Sequence, residues 1–330
     1  MIKVIKPGLY TTVQDLGRFG FQQLGISPSG AMDDYAHRLV NILVGNRENA
    51  AILEMTLTGV KLLFKTDSLI AIGGAQTQVF INDRKASMWR PTYIKAGSVL
   101  SIGIAEFGCR MYLAVSGGIA VPSILNSSST YLRGKLGGYK GRALQSDDEI
   151  LIGDKSLIEA RYCKRENATL QMDWCVSESM LLHYKNPFIQ LIEGKEFSLM
   201  SKDSKRKLFE YEFRISPNSD RMGYRLNGNK LSLQSKKELL SEGVSLGTIQ
   251  LPSDGNPIVL MADRQTTGGY AKIAHIASVD LSIMAQKKPG DSIQFKKISL
   301  EEAQKKWIER ELYLRILTKG VLQKFMEEKE

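Results

Sequence analysis

The sequence predicts a mainly β protein with few helices, and three observations carry that prediction. Residues that are β-branched or aromatic recur at short intervals between Gly, Asp, Asn and Ser, which is the pattern of short antiparallel strands in a barrel or sandwich. Helical periodicity is confined to a stretch after Asp33 and another after Ser299. Three segments, AGSVLSIG from Ala96, SDDEILIG from Ser146 and PGDSIQFKK from Pro289, each set a turn before an alternating strand. Their similarity points to a duplicated architecture.

Taken in order, the strands are expected at residues 60–64, 68–72, 78–81, 99–104, 111–115 and 149–152. The first helix starts near Asp33 and places Met32, Ala36, Leu39, Val40 and Leu43 on one face. Asp34 and Arg38 are spaced for an i,i+4 pair, and Gly45 acts as a stop. Residues 154–186 are charged and carry neither a strand nor a helix signal, so a domain boundary is expected there, with domains at 1–165 and 166–298. Ser299 and Glu302 form a capping box that opens a helical extension over 299–330. It runs through Trp307, Ile308 and Leu312, with Gly320 breaking or bending it and a surface helix beyond.

With 330 residues, 43% of them apolar and 24% charged, the chain is long enough for two domains or one large β-rich domain with a full core. The longest apolar region, 99–121, is interrupted by Glu106 and Arg110 and so is not a membrane span. MIKVIKPGLY at the start has no sustained apolar core and no small-residue cleavage site. Together these features lead to the expectation of a soluble cytoplasmic protein with no membrane partner. Cys109, Cys163 and Cys175 are odd in number and lack CxxC spacing, and His37, His183 and His275 are scattered, which argues against a disulfide framework or a metal centre. The net charge of +10 is spread over lysines at 202–207, 236–237, 287–288, 296–297 and the C-terminal helix, without interleaved aromatics. A solvated basic surface is expected rather than a nucleic-acid partner, with attraction of anionic substrates or an acidic protein as a secondary consequence.

The chemistry is concentrated in a few motifs. GKLGGYKGR, from Gly134, lacks the GxxxxGK[ST] of a phosphate loop, and no lysine is flanked by methionines as in a biotin carrier. SPSGAMDD, from Ser27, feeds a helix start whose free N–H groups suit an anion or a carbonyl. Equally, Ser29 or Asp33 serves simply as the helix cap. GGAQ (Gly73 to Gln76) and SGG (Ser116, Gly117, Gly118) each follow an apolar strand, where paired glycines permit either close ligand approach or a bulge or hairpin. In SPNSDRMGYRLNG, Arg221 and Arg225 could clamp a carboxylate or phosphate, or stand solvated.

The strongest motif is LMADRQTTGGY, from Leu260. A buried strand runs directly into Asp263, Arg264, Gln265, Thr266 and Thr267, which supply an acceptor, a fixed cation, an amide and hydroxyls. Gly268 and Gly269 let backbone donors face the same space. Such groups hold a small amide or ureido group and stabilise an oxyanion. Gln250 and Asp254, in the preceding GTIQLPSDGNP, are expected nearby. The structural alternative is an Asp263–Arg264 ion pair closing a barrel corner.

TTVQDLGRFGFQQLGISPSGAMD, SSSTYLRGKLGGYKGRAL, SDRMGYRLNG, LSEGVSLGTIQLPSDGNPIVLMADRQTTGGYAKIA and PGDSIQF, taken in order, resemble the 5-oxoprolinase C-subunit family over residues 1 to about 300. That family is also called allophanate hydrolase subunit 2 or biotin-dependent carboxyltransferase-like, and it includes an antagonist of a sporulation-kinase inhibitor. The resemblance implies tandem cyclophilin-like β-barrels with a functional groove between them. It also implies B and A partner subunits of 5-oxoprolinase, and an ATP-dependent opening of 5-oxoproline to glutamate in which B and C activate the lactam and A hydrolyses it. In the related urea carboxylase the corresponding domain moves a carboxyl group from biotin to urea, so biotin belongs to the alternative reading.

Carried over residue by residue, the resemblance places the site at Ser29, Gly30, Met32 and Asp33, at Ser116, Gly117 and Gly118, at Arg221 and Tyr224, at Asp254, and from Asp263 to Tyr270. In that assignment Arg264 holds the developing anion, Asp263 orients it or the substrate N–H, Asp33 joins them as the third catalytic residue, and the Ser29–Gly30 turn donates backbone hydrogen bonds. Gln76 departs from the family by standing where an acidic residue is expected.

Overall fold

The repeated segments share a backbone device. Gly97, Asp147 and Gly290 take φ values of 83°, 69° and 93°, each two residues before a strand that begins at Val99, Glu149 or Ser292. In each case a left-handed residue turns the chain into the sheet, a conformation natural to Gly and tolerated by Asp.

A computed structural model describes residues 1–154, 170–235 and 239–327. The boundary expected at 165/166, Cys163 and Lys236–Lys237 fall outside the described residues. The chain divides into two compact units. The first comprises Met1–Arg18, Ser29–Leu181 and Leu312–Glu330, and the second Phe19–Pro28 and Leu182–Glu311.

The first unit is an eleven-stranded sheet whose described pairings are antiparallel. Its strands are β1 (Ile2–Lys6), β2 (Thr11–Gln14), β3 (Ile52–Thr56), β4 (Lys61–Phe64), β5 (Ser68–Ile81), β6 (Arg84–Ala86), β7 (Thr92–Ile94), β8 (Val99–Val115), β9 (Ile119–Ala120), β10 (Glu149–Ile152) and β11 (Leu170–Gln171). The main path runs β11-β7-β5-β8-β4-β1-β10-β9, with β3 carrying β2 against β8 and β6 on β5. Alternate residues of these strands, among them Ile2, Leu62, Ile72, Leu100, Met111 and Leu113, form one buried cluster. Each such side chain contributes about 1.5–3 kcal/mol when removed from water.

Two pairs of expected strands are in fact single long ones. Residues 68–72 and 78–81 belong to β5, and residues 99–104 and 111–115 belong to β8. The intervening GGAQ is a bulge, one of the alternatives the sequence leaves open. Gly74 has φ 91° and the β5–β8 register shifts between Gly74 and Gln76, so the ladder absorbs the extra residue and continues. Gly73 is fixed by packing, since a Cβ there would lie 2.4 Å from Trp89 and 2.7 Å from Val40.

Helix α1 (Asp34–Leu43) starts where expected. The Asp33 carboxylate accepts the Ala36 N–H, and Ala36, Leu39, Val40 and Leu43 are buried. Gly45 follows the helix with φ 71°, and Arg38 reaches Glu48 at 2.6 Å. A one-turn helix, α2 (Glu178–Leu181), ends the central part of this unit.

The second unit is a closed barrel in the order β12-β19-β16-β17-β14-β13-β20. Its strands are β12 (Phe188–Glu193), β13 (Phe213–Ile215), β14 (Gly223–Asn227), β16 (Thr248–Leu251), β17 (Ile258–Leu260), β19 (Ala271–Ile276) and β20 (Ser292–Lys297). β15 (Glu242–Gly243) and β18 (Thr267–Gly268) form a separate ribbon. The parallel β12–β20 pair completes the ring. Ile189, Leu191, Ile249, Val259 and Ile273 fill the interior, where the Phe213 and Phe295 rings meet at a tilt with centroids 5.8 Å apart.

Helix α3 (Lys202–Glu210) is capped by Ser201, and α4 (Leu281–Ala285) is short. Helix α5 (Leu300–Glu327) opens with the expected capping box. Ser299 N–H donates to Glu302 Oε2, and Glu302 N–H donates to Ser299 Oγ. It continues unbroken through Gly320, contrary to the expected break. Glycine costs only about 1 kcal/mol inside a helix, and the buried Leu314, Val321 and Phe325 hold the turns around it. No helix among the described residues is long and apolar enough to cross a membrane.

Candidate functional site

The abrupt change from apolar to charged residues at Ala262–Asp263 follows from strand register. β14 and β17 pair with Gly223 opposite Leu260. Beyond that pair the two chains stay joined, with Met261 N–H donating to Met222 O and Asp263 N–H donating to Arg221 O. Arg221 and Asp263 therefore meet at the end of the barrel wall. The Arg221 guanidinium grips the carboxylate with both arms, Nε to Oδ2 at 2.9 Å and Nη2 to Oδ1 at 3.1 Å, and both side chains are buried.

This geometry corrects three expectations. The ion pair at the barrel corner is Asp263–Arg221, not Asp263–Arg264. Arg221 does not join Arg225 in a clamp, because it is committed to Asp263 while Arg225 stands exposed on the strand. Asp263, assigned a catalytic role above, has both oxygens engaged by Arg221, so it positions the turn that follows.

That turn carries Arg264. Its backbone N–H donates to Met261 O, and its side chain is 5% exposed. Its Nε donates to Val244 O at 3.5 Å, and no ion-pair partner faces it among the described residues. Burial lowers its pKa to about 10. A buried cation without a counter-ion is an unfavourable arrangement by itself and a favourable one once an anion arrives.

Val244 and Thr266 also line a cavity of about 420 Å³, so Arg264 lies directly behind its wall. Lys272 and His275 project into it from β19, beside Thr248 of β16. Lys272 Nζ is buried, 3.2 Å from Glu242 and 3.8 Å from Glu196. His275 Nδ1 lies 3.2 Å from Thr248 Oγ1, which in turn lies 3.1 Å from Ser245 Oγ. Burial pushes the His275 pKa below the ordinary histidine value, with Glu196 opposing and Lys272 reinforcing the shift. The ring is therefore neutral at pH 7, as an acceptor of a substrate proton must be.

The other expected residues of this unit divide. Gln265 donates to Gln250 at 3.4 Å, and Gly268 packs under the same amide, since a Cβ there would fall 2.3 Å from the Gln250 amide nitrogen and push it aside. These join the site, with Thr266 and Thr267 on the cavity wall. Tyr270 is half exposed beyond β18, next to Gly269. Tyr224 is buried in the barrel wall opposite Val259. Asp254 stands apart, on an exposed turn where it accepts from the backbone and side-chain nitrogens of Asn256.

The remaining expected residues belong to the first unit. Ser29 takes φ 54° and its buried hydroxyl makes no hydrogen bond among the described residues. Gly30 has φ 93°, and a Cβ there would strike the Leu16 carbonyl at 2.8 Å. Met32 N–H donates to Glu54 Oε2 and Asp33 N–H to Tyr112 Oη, while Tyr112 Oη donates to Glu54. The Asp33 carboxylate serves as the cap of α1. Ser116, Gly117 and Gly118 form the turn after β8. Gly117 N–H donates to Asn46 Oδ1, and the space of its missing Cβ is filled by the carbonyls of Gly153 and Asp154. Gln76 is exposed on β5.

Sequence reasoning missed Glu54 and Tyr112 in the first unit, and Thr248, Lys272 and His275 in the second. AKIAHIA held a usable signal for the last two, because a lysine and a histidine interrupt an otherwise apolar strand directly after DRQTTGGY.

A family described as carboxyltransferase domain, subdomain A and B, matches residues 24–297. The chain is 41% identical over 308 residues to the C subunit of 5-oxoprolinase from Escherichia coli, covering 92% of this chain and 94% of that one. It is 36% identical over 314 residues to the same subunit from Haemophilus influenzae, covering 95% and 96%. Among solved structures, the urea amidolyase of K. lactis superposes with a TM-score of 0.85 at 30% identity, covering 96% of this chain and 20% of that one.

Proposed function

The chain belongs to the carboxyltransferase domain family, subdomains A and B, and on that premise we propose that it is the C subunit of an ATP-dependent 5-oxoprolinase. The observation that carries this reading is near full-length similarity to two bacterial subunits of that name, together with a buried Arg264 that has no anionic partner among the described residues. The B and A subunits complete the assembly in this reading.

A lactam carbonyl is a weak electrophile, so the reaction needs its oxygen converted into a leaving group. ATP supplies that phosphoryl group and leaves as ADP; one water adds to the carbonyl carbon, the ring C–N bond breaks with the nitrogen taking up protons to leave an acyl phosphate, and a second water displaces phosphate to give glutamate. Arg264, buried behind the cavity wall at Val244, attracts the negative charge that develops on the lactam oxygen or its leaving group, and its burial strengthens that attraction. His275, neutral and paired with Thr248, accepts the lactam N–H proton as the oxygen becomes nucleophilic. Lys272, held by Glu242 and Glu196, offers an N–H donor on the cavity wall to a substrate oxygen. Asp263 and Arg221 hold the Arg264 turn in place. ATP itself is assigned to no residue of this chain.

A second reading, carboxyl transfer from biotin to urea, draws support from the superposition on urea amidolyase. Both readings use a small ligand with an N–H beside a carbonyl. Co-expression with the B and A subunits, followed by assay of glutamate and ADP with each chain omitted in turn, separates them. Glutamate formed only when all three are present supports the first. An intact complex that is silent on 5-oxoproline but carboxylates urea from carboxybiotin transfers the assignment to the second.

A further inference from the structure

We propose that the outer face of residues 312–327 on α5 is a docking surface for a different polypeptide, one presenting an apolar strip edged with carboxylates. The inner face of this segment is already committed. Leu314, Val321 and Phe325 are buried, and the Phe325 ring meets Trp174 edge-on at 5.3 Å. At 3.6 residues per turn, Leu312, Ile316, Leu322 and Met326 fall on the opposite side, where they are 55%, 57%, 42% and 56% exposed. They make a stripe about 21 Å long at 1.5 Å per residue. One apolar face suffices to hold a surface helix, and a second one, divided by Lys319 into a Leu312–Ile316 pair and a Leu322–Met326 pair, marks a site meant to be covered.

The charges choose the occupant. Arg315 and Lys319 stand within the stripe, and neither makes an ion pair among the described residues. Two copies of this helix laid antiparallel, with Leu312 against Met326 and Ile316 against Leu322, would bring Lys319 against its own copy on the two-fold axis. Like charges at that point oppose self-association, whereas a carboxylate-edged partner satisfies both cations. The proposal rests on the reading of this chain as one member of a hetero-oligomer, and its partner is the B or the A polypeptide of that assembly.

The test co-expresses the chain with those two polypeptides and follows co-elution, affinity, hydrogen exchange over 312–327 and glutamate formation in the same samples. Two variants are compared with wild type, Ile316→Asp with Met326→Asp, and Arg315→Glu with Lys319→Glu. Because all four positions are exposed, each variant should melt like wild type, which is checked first. Expected are co-elution and slowed exchange for wild type, about 100-fold weaker association for the apolar variant, and about tenfold weaker, salt-dependent association for the charge reversal.

Unchanged affinity in both variants overturns the proposal, as does a wild-type chain that co-elutes with neither polypeptide. So does an isolated wild-type dimer that Ile316→Asp with Met326→Asp dissolves, or binding to phosphatidylserine vesicles that the same variant abolishes. Assembly without glutamate formation would count against the oxoprolinase reading while leaving the docking surface standing.

Discussion

Replacing Arg264 with methionine should make the protein more stable while removing its activity. The guanidinium is buried, and its one hydrogen bond among the described residues, to Val244 O, is long at 3.5 Å. Its pKa falls to about 10 through burial alone, which corresponds to about 3 kcal/mol of penalty on the charged form. Methionine keeps most of the volume and removes the charge, at the loss of a hydrogen bond contributing about 1 kcal/mol. The net expectation is a gain of about 1–2 kcal/mol, read as a higher urea midpoint at an unchanged slope. A functional cation held at a cost to the fold behaves in this way. A loss of stability greater than about 1 kcal/mol would show that Arg264 supports the structure, and would refute the idea that its charge awaits a ligand.

Asp263→Asn should cost about 3–5 kcal/mol, because it leaves the buried Arg221 facing an amide; Arg221→Met with Asp263→Leu should recover most of that loss, and a double-mutant cycle in urea measures the coupling. His37 is buried and its pKa is lowered by that burial, so the unfolded chain binds its proton first as the solution is acidified. Stability should be fully present above about pH 6.5 and fall below it, by at most about 1.4 kcal/mol per pH unit for this group. Thermal melts from pH 7.5 to 5 check this, with His37→Gln flattening the slope. Gly74→Ala should destabilise by at least about 1 kcal/mol, since a Cβ there sits 2.2 Å from Arg110 O at φ 91°, and chemical denaturation measures it.

Local chemistry was legible in the sequence where one segment carries the whole device. The Asp33 cap, the Ser299–Glu302 box and the left-handed residue before three strands all depend on residues within a few positions of one another. Strand existence was legible for the same reason, but continuity was not, because paired glycines after an apolar run suit a bulge, a hairpin or a ligand alike, and only the β5–β8 pairing shows Gly74 acting as a bulge inside β5. The site was half legible. Asp263 and Arg264 stood out as charges after a buried strand, yet the partner of Asp263 lies 42 residues away and is set by the β14–β17 register, which a single sequence does not reveal. Lys272 and His275 were passed over because their role depends on Glu196, Glu242 and Thr248, brought together only when the barrel closes.

That Arg264 faces charge developing on the substrate is tested most directly by 5-oxoproline-dependent ADP release from the fully assembled oxoprolinase carrying Arg264→Met, set beside the wild-type assembly. The expected result is an intact complex whose turnover falls about 100-fold or more, the loss typical of removing a group that faces developing negative charge. Wild-type turnover from that complex would contradict the role given to Arg264.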